Sequence, residues 1–159
     1  VNDDALVCKL SGAAGVHIGL GDGSIRAAGK LLGSDKIIGA TAHNLDEALA
    51  AQAAGADYIG VGAAFGSKSK GNAVRLANLK AYRDITSAVD IPVIAIGGIN
   101  AGNVGELAGL GLSGIAVISA IFGSRDIAAS AHELRAAAQA LTSSPCAEDN
   151  SEEGTETDG

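Results

Sequence analysis

GADYIGVG, residues 55–62, carries the chain from the end of a helix into a buried strand. Gly55 stands where a left-handed residue would close the preceding helix, and Ala56-Asp57 turns the chain back toward a sheet. Tyr58–Gly62 is then a short apolar run without polar alternation, which is typical of a parallel strand covered on both faces. This stretch predicts one helix-to-strand unit of an α/β fold.

The same unit recurs on both sides of this stretch. Four more short apolar runs predict strands, at residues 15–19, 36–41, 92–97 and 114–119. Intervening segments predict helices at residues 4–11, 24–32, 45–54, 76–89, 103–109 and 126–141. Strict alternation of strand and helix gives right-handed crossovers and a parallel sheet, so the fold is α/β, either doubly wound or a (β/α)₈ barrel.

Two kinds of helix-end signal support these boundaries. Asn44, followed three residues later by Glu47, resembles a capping box at the start of the third helix. Gly33 and Gly55 stand where left-handed caps would end the second and third helices.

The composition excludes several classes of protein. Hydrophobic residues make up 47% of the chain and aromatic residues only 3%, so the core must be built from Ala, Val, Ile and Leu. A formal net charge of −7 argues against nucleic-acid binding, which needs clustered Lys and Arg. No apolar run is long enough to cross a membrane, and Cys8 and Cys146 lack metal-ligand spacing. We therefore expect a cytoplasmic protein without membrane or nucleic-acid partners.

The acidic C-terminal segment and the start of the chain at Val1 each lead to a prediction. Residues 146–159 contain many acidic residues and no basic ones, which predicts an acidic disordered tail (142–159) after a folded domain (1–141). The chain has no methionine and begins at Val1. We expect either a removed N-terminus or a fragment of a longer product, since a closed barrel typically needs about 250 residues.

Polar residues occur where the predicted strands end. Asp3 precedes the first helix, Asp22 follows the strand that carries His17, and Thr41 ends the next strand. Ligands bind beyond the carboxyl ends of parallel strands in both candidate architectures. The other candidates at strand ends are Asn2, His43, Ser67, Lys68, Ser69, Lys70, Gly97, Gly98, Ile118 and Ser119.

These residue types suggest two anionic ligands, one of them a diphosphate with a metal ion. Asp3 and Asp22 are carboxylates of the kind that Mg²⁺ prefers. The lysines and serines of residues 67–70 suit anionic oxygens. Backbone N–H groups at Gly98 and Ser119 would suit a phosphate.

Each of these features also has an ordinary structural interpretation. The aspartates are common in caps and turns, and residues 67–70 could form a solvated loop. Gly97-Gly98 could be a tight turn, and His43 could lie near a helix cap. His17 inside a strand is most often a core histidine with satisfied hydrogen bonds. The shared position of these groups at strand ends favours the ligand interpretation.

The order of segments resembles one enzyme family from Val1 to about Leu141. The segments are ND, GVHIG, D, IIGATAH, GADYIGVGAAF, SKSK, IPVIAIGGIN and GIAVISAIF, and their order is similar to that of thiamine-phosphate synthases. This resemblance implies a (β/α)₈ barrel of which the chain supplies the end of strand three through strand eight and the final helix, the earlier strands being absent.

The resemblance implies an Mg²⁺-dependent transferase of thiamine biosynthesis with small-molecule substrates. In this family 4-amino-2-methyl-5-(diphosphooxymethyl)pyrimidine condenses with 4-methyl-5-(2-phosphooxyethyl)thiazole to give thiamine phosphate and diphosphate. Oligomeric state stays open, a homo-oligomer included. The isolated chain is expected to be inactive, because family residues that hold the pyrimidine diphosphate lie on the earlier strands.

The resemblance also implies a role for each matching residue. Asp3 and Asp22 would bind Mg²⁺, and the catalytic Lys70 would contact the diphosphate. The remaining substrate-binding residues would be Asn2 and Thr41 for the diphosphate, with Ser67, Lys68, Ser69, Gly98, Ile118 and Ser119 for the thiazole phosphate.

Two departures from the family pattern leave rival interpretations open. Leu20 stands where the family usually has Gln, and Ala63 and Gly66 replace a proline-containing turn. One rival is a paralogue resembling thiazole tautomerase, which would need neither the paired carboxylates nor Lys70. The other is a non-catalytic phosphate-binding barrel fragment.

Overall fold

A computed structural model describes residues 1–66 and 79–143 as an α/β fold with one five-stranded sheet. The strands are β1 (Gly15–Ile18), β2 (Ile37–Ala42), β3 (Tyr58–Gly62), β4 (Val93–Ile96) and β5 (Gly114–Ala116). All neighbouring strands are parallel, and their order in the sheet is their order in the chain. At the outer edge of β1, Asn2 forms a parallel bridge with His17.

Helices follow the strands as the alternation predicts. They are α1 (Ala5–Ser11), α2 (Ile25–Leu32), α3 (Leu45–Ala54), α4 (Lys80–Ala88), α5 (Ser119–Phe122) and α6 (Ile127–Ser143), with a 3₁₀ helix at Val104–Leu107. Asp4 and Ser24 cap α1 and α2 by accepting the backbone N–H groups of Val7 and Ala27. In the described part of the chain no helix is long and apolar enough to cross a membrane.

The helices pack against one face of the sheet, the outer face. Ile59 and Val61 of β3 lie in the same buried cluster as Ala51 of α3 and Tyr82 and Ile85 of α4. A second cluster joins β1 and β2 to α1 and α2 in the same way. Because strand order follows chain order, the described sheet lacks the reversal that defines a doubly wound fold. The doubly wound alternative is therefore wrong for the described sheet, which is singly wound.

Alternate strand residues point to the opposite, inner face. This face carries His17 of β1, Gly39 and Thr41 of β2, and Tyr58 and Gly60 of β3, which pair across the sheet and alternate with the outer-face residues along each strand. Ile37 is 53% exposed and Ile96 is 37% exposed, although both are strand isoleucines. The inner face is therefore covered only in part by the described residues: Gly39 and Gly60 are buried, whereas these two isoleucines are open to solvent.

The predicted helix ends at α3 are confirmed, with one change of partner. Asn44 Oδ1 accepts the N–H of Glu47 at 2.9 Å, as a capping box requires. The Glu47 carboxylate accepts the N–H of His43 at 2.7 Å rather than that of Asn44. His43 also lies 3.2 Å from this carboxylate through Nδ1, so the prediction of a histidine near a cap is confirmed.

The two predicted glycine caps differ in outcome. Gly55 is left-handed, with φ 95° and ψ 32°, and its N–H bonds the carbonyls of Ala51 and Gln52. Gly33 also has a positive φ of 80°, but its ψ of −176° is extended, so the left-handed cap predicted there is wrong. Either conformation disfavours a side chain, which explains why glycine occupies both positions.

The largest differences from the predicted elements lie near the C-terminal end. The predicted strand at 114–119 stops at Ala116, because Ile118 O accepts the N–H groups of Ile121 and Phe122 and the chain enters α5. The helix predicted at 103–109 is only a short 3₁₀ turn, in keeping with the cost of Gly105 within an α-helix. The last helix runs to Ser143. Residues 144–159, which include most of the predicted acidic tail, lie outside the described residues.

Candidate functional site

Most of the polar residues predicted at strand ends lie at one edge of the sheet. Thr41 is near the end of β2, Asp22 follows β1, Gly98 follows β4 and Ser119 follows β5. Because all five strands are parallel and adjacent, their carboxyl ends meet at the same edge. Ser67, Lys68, Ser69 and Lys70 lie outside the described residues.

Asp3 and Asp22 flank the carboxyl end of β1. The N–H of Asp3 donates to the carbonyl of His17 at 2.8 Å, while its carboxylate accepts the side-chain amide of Asn2 at 2.7 Å. Asp3 has a φ of 69°, a left-handed conformation that costs energy in any residue with a side chain. The hydrogen bond to His17 O therefore holds the backbone of Asp3 against the end of β1.

Asp22 lies in the turn that directly follows β1. Its N–H donates to Gly19 O at 3.1 Å in a tight turn. A Cβ atom on Gly19 would collide with Asp22 Oδ2, so the glycine leaves room for this carboxylate. Both aspartates are exposed to solvent, and the described residues contain no group of three or more His, Cys, Asp or Glu side chains that could hold a metal ion. A cation here would need further oxygens from water or substrate.

A hydrogen-bonded group crosses the inner face beside these carboxylates. His17 on β1 lies between two hydroxyl groups, with Nδ1 3.0 Å from Tyr58 Oη and Nε2 2.9 Å from Thr41 Oγ1. The His17 and Tyr58 rings are 5.5 Å apart and tilted by 37°. All three side chains are half-buried, and partial burial raises the pKa of the Tyr58 phenol. The expectation of a satisfied histidine is confirmed, but His17 lies on the inner face and not in the core under the helices.

Two glycines make this arrangement possible. Gly39 pairs with His17 on one side and with Tyr58 on the other, and a Cβ atom there would collide with the tyrosine ring. A Cβ atom on Gly60 would lie 3.2 Å from His17 Cε1. The sequence prediction missed Tyr58. The available signal was the glycine-rich strands around it, since glycine inside a strand often marks the close approach of another group.

The Gly97-Gly98 turn is held from both sides. Gly97 and Gly98 have φ values of 101° and 68°. The side-chain amides of Asn100 and Asn103 donate to Gly98 O at 3.3 Å and 3.0 Å, and Phe65 N–H donates to Gly97 O at 3.0 Å. The structural interpretation of Gly97-Gly98 as a tight turn is confirmed. These hydrogen bonds also fix the turn in place at the end of β4.

The segment after β3 runs directly against this turn. Ala64 N–H donates to Ile96 O at 2.9 Å. A Cβ atom on Gly98 would collide with Gly66 O, so glycine is required by both the positive φ and the close backbone contact. Gly66, the residue that precedes the predicted site residues 67–70 in the chain, therefore lies in contact with Gly98.

Ile118 and Ser119 lie at the neighbouring strand end. Ile118 O accepts the N–H groups of Ile121 at 3.1 Å and Phe122 at 2.9 Å, and Ser119 is the first residue of α5. Both Ile118 and Ser119 are exposed. Because β4 and β5 are paired, this turn and Gly98 follow adjacent strands.

A cavity of about 250 Å³ lies at the opposite end of the sheet, among residues that precede β4 and β5. It is lined by Thr86, Val89, Asp90, Ile91, Pro92, Val93, Gly111 and Ser113. Thr86 Oγ1 donates to Leu110 O at 2.8 Å, and Asp90 N–H donates to the side chain of Gln52 at 2.7 Å. These polar groups serve packing between elements, and the cavity contains none of the predicted site residues.

Comparison with known proteins identifies the family. A family model described as thiamine monophosphate synthase matches residues 1–121. The chain is 44% identical over 135 residues to the thiamine-phosphate synthase of Moorella thermoacetica, which covers 85% of this chain and 64% of that protein. It is 43% identical over 136 residues to the thiamine-phosphate synthase of Chloroflexus aurantiacus, covering 86% of this chain and 62% of that one.

A solved structure agrees with these relatives. The thiamine phosphate pyrophosphorylase from Pyrococcus furiosus superposes with a TM-score of 0.80 at 39% sequence identity, covering 89% of this chain and 67% of that one. The chain spans less than two thirds of the length of the curated relatives named above.

Proposed function

The chain belongs to the thiamine monophosphate synthase family, and we propose that the complete protein joins the pyrimidine diphosphate to the thiazole phosphate. The products are thiamine phosphate and diphosphate. The observation that supports this most strongly is the placement of Asp3, Asp22, Thr41 and Gly98 at one sheet edge. These are the residues that a metal-bound diphosphate and a phosphate would require.

Asp3 and Asp22 are the proposed Mg²⁺ ligands. Both are exposed carboxylates at the end of β1, and carboxylate oxygen suits this hard cation. Water and the substrate diphosphate would complete its coordination. When bound, Mg²⁺ supplies positive charge that stabilises the departing diphosphate.

The diphosphate substrate is proposed to bind Asn2, Thr41 and Lys70. The Thr41 hydroxyl lies on the inner face beside His17, near the strand end that carries Asp22. Asn2 is fixed by its bridge to β1 and its bond to the Asp3 carboxylate. Lys70, the proposed catalytic cation, would act on the charge that develops on the leaving group.

The thiazole phosphate is proposed to bind at the ends of β4 and β5. Gly98 and the backbone of Ile118 and Ser119 follow these two adjacent strands. Ser67, Lys68 and Ser69 would complete the site, since the chain reaches Gly98 at Gly66. Holding the thiazole there fixes its ring nitrogen for attack, which raises its effective concentration.

The reaction needs one bond broken and one bond formed. The C–O bond between the pyrimidine methylene and the diphosphate breaks, and diphosphate leaves with the electron pair. The thiazole nitrogen then donates its lone pair to that carbon to form the C–N bond. No general base is required, because this nitrogen loses no proton.

The five strands are proposed to be strands four to eight of a (β/α)₈ barrel, with Val1-Asn2-Asp3 at the end of strand three. Sequential strand order, helices on one face and the Asn2 bridge at the edge of β1 support this assignment. The inner face would then be the barrel interior. We expect the isolated 159-residue chain to form no measurable thiamine phosphate, because the described residues leave the inner face partly open to solvent.

Complementation of a thiamine auxotroph by the complete gene tests the proposal. The unsubstituted gene should restore growth without thiamine, whereas Asp3→Ala, Asp22→Ala and Lys70→Ala should not. Asp35→Ala is the matched control, because Asp35 precedes β2 at the opposite sheet edge. Turnover by the purified complete protein should disappear with a chelator and return with Mg²⁺. Growth that is indifferent to all three substitutions would rule out the assigned chemistry.

A further inference from the structure

His17, Tyr58 and Thr41 form a chain of hydrogen bonds across three neighbouring strands. Each ring nitrogen of His17 has a hydroxyl within 3.0 Å. A neutral imidazole carries one N–H donor and one acceptor nitrogen, so the position of its proton fixes the direction of both bonds. The direction of the bond to Thr41 decides whether the threonine hydroxyl can also donate a hydrogen bond to a ligand.

The two directions have opposite consequences for an anion near Thr41. If Nδ1 carried the only proton, Nε2 would accept the Thr41 O–H, and the hydroxyl would have no proton left for a phosphate oxygen. If Nε2 carries the proton, Nε2–H donates to Thr41 Oγ1. The Thr41 O–H is then available to donate to an anion.

The surroundings of Tyr58 favour the second arrangement. Of the two hydroxyl groups that flank the imidazole, the Tyr58 phenol is the stronger hydrogen-bond donor, because a phenol is more acidic than an aliphatic alcohol such as that of Thr41. With the Tyr58 O–H donating to Nδ1, the histidine proton must reside on Nε2. Gly39 allows the tyrosine ring to lie close enough for this bond.

We propose that His17 is a positioning residue: held by Tyr58, it donates Nε2–H to Thr41 and so directs the threonine hydroxyl proton toward the leaving diphosphate. This inference rests on the proposed function for the identity of the anion. The hydrogen-bond directions do not depend on that identity: they rest on the two distances to His17 and on the donor strength of the Tyr58 phenol. The proposed effect of His17 passes through Thr41 and does not depend on contact with a substrate.

Nitrogen NMR of the complete protein tests the hydrogen-bond directions without any turnover. The protein is labelled with ¹⁵N-histidine and studied over a series of pH values, and the neutral imidazole is recognised by one protonated and one unprotonated ring nitrogen. The His17 signals are assigned as those that disappear in His17→Gln. A proton on Nε2 supports the proposal. An unprotonated Nε2 overturns it, whatever the enzyme activity.

Two substitutions of His17 separate positioning from simple packing. Gln places an amide N–H near the position of Nε2 and so can still donate to Thr41. Asn reaches only the position of Nδ1 and cannot. We expect His17→Asn to lower kcat about 10- to 100-fold, comparable to Thr41→Val, and His17→Gln to lower it several-fold less. KM should change little, because the Thr41 bond strengthens as charge develops.

A double substitution shows whether the effect passes through Thr41. In the Thr41→Val background, His17→Asn should cost no more than about twofold, since the hydroxyl to be directed is gone. Thr41→Ser should retain most of the activity. His132→Gln is the matched control, because His132 is exposed on α6 and is not one of the proposed site residues.

The failures of the two proposals can be told apart. Suppose first that the unsubstituted complete protein is active. Equal losses of kcat in His17→Asn and His17→Gln would then overturn the positioning role, and so would an undiminished effect of His17→Asn in the Thr41→Val background. Either result leaves the synthase proposal standing. An inactive complete protein overturns the synthase proposal. In that case binding of inorganic diphosphate with Mg²⁺ decides the positioning role, which predicts that Thr41→Val and His17→Asn weaken binding without additive effect.

Discussion

The two faces of the same strands differ in almost every physical respect. On the outer face of β3, Ile59 and Val61 are fully buried under α3 and α4. On the inner face, one residue away along the strand, Tyr58 and Gly60 lie beside His17. The outer face is a close-packed apolar layer, whereas the inner face carries hydroxyls, an imidazole and glycines.

Along each strand, alternate residues therefore serve different purposes: one set stabilises the fold and the other carries the polar groups of the candidate site. Packing under the helices provides stability, so the inner positions are free to carry polar groups and small residues. Glycine at positions 39 and 60 contributes little packing but admits the Tyr58 and His17 rings. Substitutions on the outer face should therefore change stability, and those on the inner face or at the strand ends should change chemistry.

The largest loss of stability is expected for Ile59→Ala. Ile59 is 0% exposed, and removing such a side chain from a packed core costs about 2–5 kcal/mol. Urea unfolding of the complete protein measures this loss, and turnover per folded molecule should stay within about threefold of the parent, the range set by small shifts in packing. Leu49→Ala, at a 40% exposed position on α3, should cost less than about 1 kcal/mol. Equal losses at the two positions would contradict the assignment of the outer face.

Substitution of the two tyrosines by phenylalanine should lower stability by less than Ile59→Ala does, and by different amounts. Tyr82 on α4 is fully buried and donates to Val61 O at 2.7 Å, so Tyr82→Phe leaves a buried carbonyl without this donor and should cost about 1–3 kcal/mol. Tyr58→Phe should cost less, because Tyr58 is half-buried and water can replace its hydroxyl. Only Tyr58→Phe should lower turnover per folded molecule. The reverse pattern would show that the roles of the two faces are exchanged.

The buried Tyr82 also predicts how the free energy of unfolding changes at alkaline pH. Burial raises the pKa of the Tyr82 phenol above its ordinary value near 10. The folded protein therefore keeps this proton to a higher pH than the unfolded chain. The resulting stability is fully present below about pH 10 and is lost as pH rises further, by at most about 1.4 kcal/mol per pH unit. Urea unfolding between about pH 9 and 11 should show this slope in the parent and a shallower slope in Tyr82→Phe; equal slopes would contradict it.

Much of the fold could be predicted from short-range patterns. The bounds of β3 and α3 agree with the sequence prediction because apolar runs and caps are local signals. The end of β5 could not be found in this way, since the apolar pattern continues through Val117 and Ile118 into a helical turn. The choice between a singly and a doubly wound sheet also depends on which face each helix covers, and that is a long-range property.

The site was predictable only where single residues stand at strand ends. Asp3, Asp22 and Thr41 could be selected because the carboxyl end of a parallel strand is recognisable in sequence. Tyr58 could not, because its role depends on register: it pairs with Gly39, which in turn pairs with His17. Residues at opposite ends of this group are far apart in the chain, and only the folded sheet brings them into contact.

The most direct test of the division between the two faces is Asp22→Asn in the complete protein, with stability and turnover measured on the same preparation. Asp22 is exposed and lies over Gly19 at the strand end, so the free energy of unfolding should change by less than about 0.5 kcal/mol. Formation of thiamine phosphate in the presence of Mg²⁺ should fall at least about 100-fold, because a proposed metal ligand is lost. Unchanged turnover, or a loss of turnover that merely follows a loss of stability, would contradict the account.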